Sequence, residues 1–214
     1  MYKFFVLVRN YNGSYDALRI RRSENVSAKA NYLQFIPSGG LEAMNDCIDF
    51  DSQWDNYSLS KVVFRELLEE CFGIDEDAKN LTANNVSPDK IYHNEHIKKL
   101  IESLNHNSEE KRANMELMGT TMSLAGLRQE LSFILRIDDA DFSTEFVSNY
   151  ESSSAIHMVR INNLEQKSFW YRNNINEKKV INDLAFLNCT SAGLFELARK
   201  SSLYRDALHF SNKD

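Results

Sequence analysis

Very little in this chain punctuates the backbone. Its 214 residues include only 2 prolines and 7 glycines. Collagen-like repeats are excluded, and so is a low-complexity disordered chain. Three cysteines (Cys47, Cys71, Cys189) form no C-x-x-C pair and no even framework. A disulfide scaffold is therefore excluded, and a reduced, cytoplasmic setting is the expectation. The longest apolar runs, such as Phe4 to Val8, are far too short to span a bilayer. No signal-peptide pattern precedes the first strand-like segment, because Met1-Tyr2-Lys3 leads straight into it. A basic surplus is missing as well: 25 basic residues face 31 acidic ones, for a net charge of −6. That balance argues against a general nucleic-acid binder. Arg19, Arg21 and Arg22 are the only dense basic group, and they read as the solvated face of a strand.

What remains is an ordinary globular composition, 43% hydrophobic and 26% charged. It suits a single domain over residues 1–214. Lys3 to Arg9 is rich in aromatic and β-branched residues and predicts a strand. Tyr11 to Ser14 predicts a turn, and Ala17 to Val26 a returning strand. Tyr32 to Pro37 predicts another strand, halted by Pro37-Ser38-Gly39-Gly40. Asn45 to Tyr57 is polar and reads as a loop. From Ser58 to Phe72, Val63, Leu67 and Cys71 repeat at spacing four. That period predicts a helix, with Ser58 or Ser60 as its cap and Gly73 just past its end.

Residues 75–112 form a polar insertion around one amphipathic helix. Ile97, Leu100, Ile101 and Leu104 mark that helix as core, lid or partner-binding element. Met115 to Met122, Leu131 to Ile137 and Ala155 to Ile161 predict strands, while Phe169 to Ile175 stays open. Two helices close the chain. One runs from about Ser191 to Lys200, capped by Thr190 or Ser191, and the other lies near Leu203 to Phe210. The class is α+β with one core.

The chemistry concentrates at Arg65-Glu66-Leu67-Leu68-Glu69-Glu70. On a helix, Glu66, Glu69 and Glu70 stand at i, i+3 and i+4 and share a face. Like charges at that spacing repel, so the cluster gains from something positive set against it. Mg²⁺ suits such a place, because it takes hard oxygen ligands and keeps several waters. An E-x-x-E-E alone is more often a solvated helix face. Its context here is unusual: the whole hexad pattern would arise by chance about once in 500 chains of this length.

Pro37-Ser38-Gly39-Gly40-Leu41-Glu42, then Arg65 to Glu70, then Gly73-Ile74, resembles the box of the Nudix hydrolase family. The resemblance implies an α/β/α sandwich around a mixed β-sheet. It implies a hydrolase acting on a pyrophosphate bond in a nucleoside diphosphate derivative, with Mg²⁺ or Mn²⁺ as cofactor. Glu69 and Glu70 would be the main metal ligands, and Glu66 would bind a second metal or help activate water. Gly39 would offer its backbone carbonyl to the metal, and Arg65 would hold a glutamate in place. The partner would be a nucleotide-derived small molecule, and a homodimer is common among relatives. A carboxylate outside the box often takes part as well. Glu130, where a loop enters a strand, is the candidate base; the alternative for it is an exposed strand-edge glutamate. Glu145 and Glu151 are weaker candidates, and Arg128 could touch a phosphate or simply face solvent.

Three departures from the pattern stand out. Asp46 sits where the box has its first glutamate, about eleven extra residues follow it, and Gly73 comes one residue late. They keep a second reading open, a Nudix-like domain that binds a nucleotide as a sensor or regulatory module without hydrolysing it. A third is a scaffold whose 75–112 insertion binds protein. Elsewhere, His93 and His96 lack partners at zinc spacing, Cys71 lies on the apolar helix face, and Trp54 and Tyr57 could stack on a base or pin their loop.

Overall fold

The first strand of the chain is apolar without alternation, which requires cover on both faces. In the computed structural model it has that cover: Tyr2 to Val8 are all buried in β1 (Tyr2–Arg9). The structure describes residues 1–22, 32–39, 59–72, 95–105, 113–123, 127–145, 156–165, 171–174, 179–182 and 189–212. Among them, β2 (Tyr15–Arg21), β3 (Leu33–Phe35), β4 (Ser38–Gly39), α1 (Leu59–Phe72) and α2 (Glu95–Asn105) come next. Then follow β5 (Ala113–Ser123), β6 (Arg128–Ile137), a 3-10 turn (Ala140–Glu145), β7 (His157–Arg160) and α3 (Ile161–Glu165). The hairpin β8 (Tyr171–Asn174) and β9 (Lys179–Asn182) precedes α4 (Cys189–Ala198) and α5 (Ser202–Ser211).

The main sheet is mixed, in the order β3-β2-β1-β6-β5. One edge of β1 is taken by β6, in parallel, from Tyr2↔Leu131 to Val8↔Ile137. Its other edge is divided: β4 pairs with its start at Tyr2 and Lys3, and β2 with its end at Leu7 to Arg9. Residues 32–39 thus wedge between two diverging strands. Phe4 N donates to Pro37 O at 3.0 Å and Ile36 N to Leu18 O at 3.4 Å. Beyond them, β7 closes the far edge of β2.

Alternation along β1 feeds two cores. Tyr2, Phe4, Val6 and Val8 join α1, α2 and the 3-10 turn, through Phe64, Leu67, Ile97, Leu100 and Phe142. Phe5 and Leu7 join α3, α4 and α5, through Leu164, Leu194, Phe195 and Tyr204. The result is three layers, helices on both faces of a mixed sheet, as the resemblance implied. Each of these side chains contributes roughly 1.5–3 kcal/mol by leaving water. No helix among the described residues is long and apolar enough to cross a membrane.

Several expectations change at element ends. Ser38 and Gly39 extend the sheet instead of halting it, because Lys3 and Tyr2 offer them an open stretch of edge. Ile161 starts α3 rather than closing a strand. Thr190 and Ser191 lie inside the first turn of α4, which begins at Cys189, so neither is its cap. Ser201 caps α5 instead, its hydroxyl accepting from Leu203 N at 3.1 Å. Arg19 is buried, not on a solvated face, in a stretch of β2 paired on both edges, with Phe35 and with His157. The open segment Phe169 to Ile175 contains β8, paired with β9. Ile97, Leu100 and Ile101 are core. The Asn45–Tyr57 loop, Gly73 and most of the 75–112 insertion lie outside the described residues.

Phe4 stacks on Phe133 at 4.9 Å, and Phe5 meets Phe35 at 4.7 Å on the opposite face. Phe4→Ala and Phe5→Ala are each expected to cost about 3–5 kcal/mol. Urea denaturation reads this directly. A near-neutral result for either would mean that one face of β1 is not covered.

Candidate functional site

The packing of α1 decides where its acids go. Phe64, Leu67, Leu68 and Cys71 fall at helical spacing and are buried against the sheet. Residues 66 and 70 then stand one turn apart, beside that stripe. Glu66 is only 9% exposed and Glu70 only 4%. For these two, the solvated-face account fails. Arg65 and Glu69 are in the same helix, and their side chains lie outside the described residues.

Glu66 reaches the sheet at Gly39. A Cβ built on Gly39 would sit 2.3 Å from Glu66 Oε1 and 2.4 Å from its carboxyl carbon. A side chain there would have to push the Glu66 carboxylate aside, so glycine is what lets the carboxylate lie against the backbone of β4. Gly39 in turn is paired with Tyr2. The carboxylate, the glycine and the start of β1 form one tight corner. Next to it, burial and the neighbouring Glu70 push the Cys71 thiol well above its ordinary range. That thiol is packing, not a nucleophile.

Glu130 stands elsewhere. It is buried in β6, 3% exposed, and its Oε2 lies 3.5 Å from Lys3 Nζ. Lys3, equally buried, also donates to Thr190 Oγ1 in α4. Strand alternation fixes the side. Tyr2 and Phe4 flank Lys3 and face the α1 layer, while Phe133, three residues beyond Glu130, joins the same layer. Lys3 and Glu130 therefore point to the α4 layer, across the sheet from Glu66 and Glu70. Glu130 is therefore not exposed at a strand edge, and it lies across the sheet from the box acids. Lys3 was the missed residue. A single lysine within Tyr2 to Val8 is the signal that could have found it, since a cation buried in a central strand needs an anion.

Asp46, Gly40, Trp54, Tyr57, His93 and Glu151 lie outside the described residues, as do the side chains of His96, Arg128 and Glu145. Among the described residues, no three His, Cys, Asp or Glu side chains are grouped to hold a metal ion. The donors present still fit a hard divalent cation. Two buried carboxylates one turn apart are oxygen ligands of the right kind, and Mg²⁺ commonly takes one or two carboxylates and completes its shell with water and phosphate oxygens.

No protein-family model matches the chain, and no curated protein matches it. Among solved structures, it is similar to a Nudix hydrolase from M. smegmatis, RenU, at 10% identity and TM-score 0.41. That likeness covers 92% of this chain and 81% of the other. It is also similar to the MutT protein from Methanosarcina mazei Go1, at 16% identity and TM-score 0.45, over 94% and 95% of the two chains.

The Lys3–Glu130 pair yields a test. Glu130→Gln strands a buried ammonium, with an expected cost of about 3–5 kcal/mol. Adding Lys3→Met should restore more than half of that loss, read by chemical denaturation as a double-mutant cycle. A base on the substrate side would behave differently, losing turnover while keeping stability.

Proposed function

We propose that this chain is a Nudix-type hydrolase that cleaves a pyrophosphate bond in a nucleoside diphosphate derivative. Glu66, Glu69 and Glu70 of α1 would be its acids, Arg65 and Gly39 its supporting residues, and Mg²⁺ or Mn²⁺ its cofactor. One observation carries the reading: Glu66 and Glu70 are buried side by side on α1, and Glu66 lies against a glycine that no other residue could replace without displacing it. The R-E-L-L-E-E pattern around them agrees.

A bound divalent ion would neutralise the diphosphate and lower the pKa of an attacking water. The chain supplies the rest. Glu69 and Glu70 would hold the ion, with the Gly39 carbonyl as a further oxygen donor. Glu66 would accept the proton of the water that attacks phosphorus. Arg65 would fix a glutamate through a charge-assisted hydrogen bond. Burial keeps the Glu66 and Glu70 carboxylates in one place and strengthens their attraction for a cation.

A second reading is favoured by the position of Glu130. Because Lys3 holds it on the other face, the extra carboxylate expected from outside the box is not where a base would act. A module that binds the nucleotide without cleaving it needs no such base.

The protein should be incubated with Mg²⁺ and a panel of nucleoside diphosphate conjugates, with mass detection of nucleoside monophosphate. Turnover is expected on at least one member, and Glu69→Gln should reduce it by about 10²-fold or more. Turnover unchanged by Glu69→Gln would remove these acids from the reaction. No turnover, with thermal stabilisation by a ligand recovered intact, would establish the binding module instead.

Gly39→Ala isolates the corner. The added methyl must push the Glu66 carboxylate aside, so kcat should fall by about tenfold or more, while the far end of a flexible side chain absorbs the clash. The melting temperature should therefore move by only a few degrees.

A further inference from the structure

The layer behind the sheet, away from Glu66 and Glu70, holds a cleft of about 310 Å³. It opens among α3, α4 and α5, and it is large enough for a small molecule. Its lining includes Arg199, Lys200 and Arg205, with Glu165, Glu196 and Tyr204. Arg199, Lys200 and Arg205 fall within seven residues of the chain.

The carboxylates there are already engaged. Arg199 Nε and Nη2 donate to Glu165 Oε1 and Oε2, both at 3.0 Å, and Tyr204 Oη donates to Oε1 at 2.9 Å. Glu165 is thereby neutralised by a forked arginine. The guanidinium also lies over the Phe195 ring, 5.9 Å from its centre, which holds it at the cleft wall. Glu196 approaches the same arginine at 3.5 Å. Among the described residues, the side chains of Lys200 and Arg205 have no hydrogen bond or ion pair. Lys200 and Arg205 thus line the cleft without an acidic partner of their own among the described residues, while Glu165 and Glu196 share Arg199.

We infer that this cleft binds a small phosphate-bearing molecule, with Lys200 and Arg205 as its main contacts and Arg199 as the fixed wall. A phosphate group is chosen because it concentrates two charges and three acceptor oxygens on one centre. That matches an ammonium and a planar guanidinium lining the same cleft. The site is separate from the α1 acids, since a whole sheet stands between the two layers.

The test is titration calorimetry on the full chain in EDTA, with inorganic phosphate, adenosine monophosphate and succinate as probes. Saturable binding of a phosphate probe is expected, with a Kd on the order of millimolar or tighter. The double variant Lys200→Gln, Arg205→Gln should weaken it by about tenfold or more. Glu69→Gln should leave it unchanged, which separates this site from the proposed catalytic one. Both replaced side chains are exposed, so the double variant should keep the wild-type melting curve. The proposal is overturned by absent or unsaturable binding, by equal affinity in the double variant, by loss of binding in Glu69→Gln, or by succinate binding as tightly as phosphate.

Discussion

Everything in this molecule is built around a strand that must be covered on both sides. β1 presents aromatic and branched side chains alternately to two helical layers, and it shares both edges with other strands. Its parallel pairing with β6 sets the middle of the sheet, and the divergence of β2 opens the wedge that β3 and β4 fill. That wedge carries Gly39 to the place where α1 delivers Glu66. The geometry of the acidic corner is thus a consequence of strand packing, one step removed from any chemistry.

The two sides of the sheet handle charge in opposite ways. On the α4 side, Lys3 and Glu130 face each other in the interior, with Thr190 as a further partner for the lysine. Each charge of the pair replaces part of the water the other has lost, and removing either one strands its partner. On the α1 side, carboxylates at i and i+4 are buried together, an arrangement of like charges that favours a cation between or beside them. Burial first, and then the charge of Glu70, raise the Cys71 thiol beside them.

Regular elements were legible in the sequence because burial leaves a period behind it. Leu67 and Cys71 of the expected stripe and the apolar run of β1 are packed faces, and the Ile97–Leu100–Ile101 helix, open in the sequence between core, lid and partner-binding element, is core. The R-E-L-L-E-E hexad marked α1, and the resemblance supplied the layering. What could not be read was partnership across distance. Nothing local to Glu130 says that Lys3 will meet it, since the two lie far apart in the chain and a parallel register brings them together. Nor does Pro37-Ser38-Gly39-Gly40, written in turn residues, announce a rung with Tyr2. Caps were the other weak point. Thr190 looks like an N-cap by type, yet a lysine from the opposite end of the chain claims its hydroxyl.

The parallel rung between Tyr2 and Leu131 has a kinetic side. β1 and β6 are separated by more than half of the chain, so their contact closes a long loop and must await a late segment. On a ribosome, the aromatic ladder of β1 would emerge well before the strand that shields its edge. Until then β1 can pair with β2 and β4 on one edge only, and the other edge stays open, the kind of surface that holding chaperones grip. The time taken to synthesise the residues between those two strands then sets how long that edge stays open.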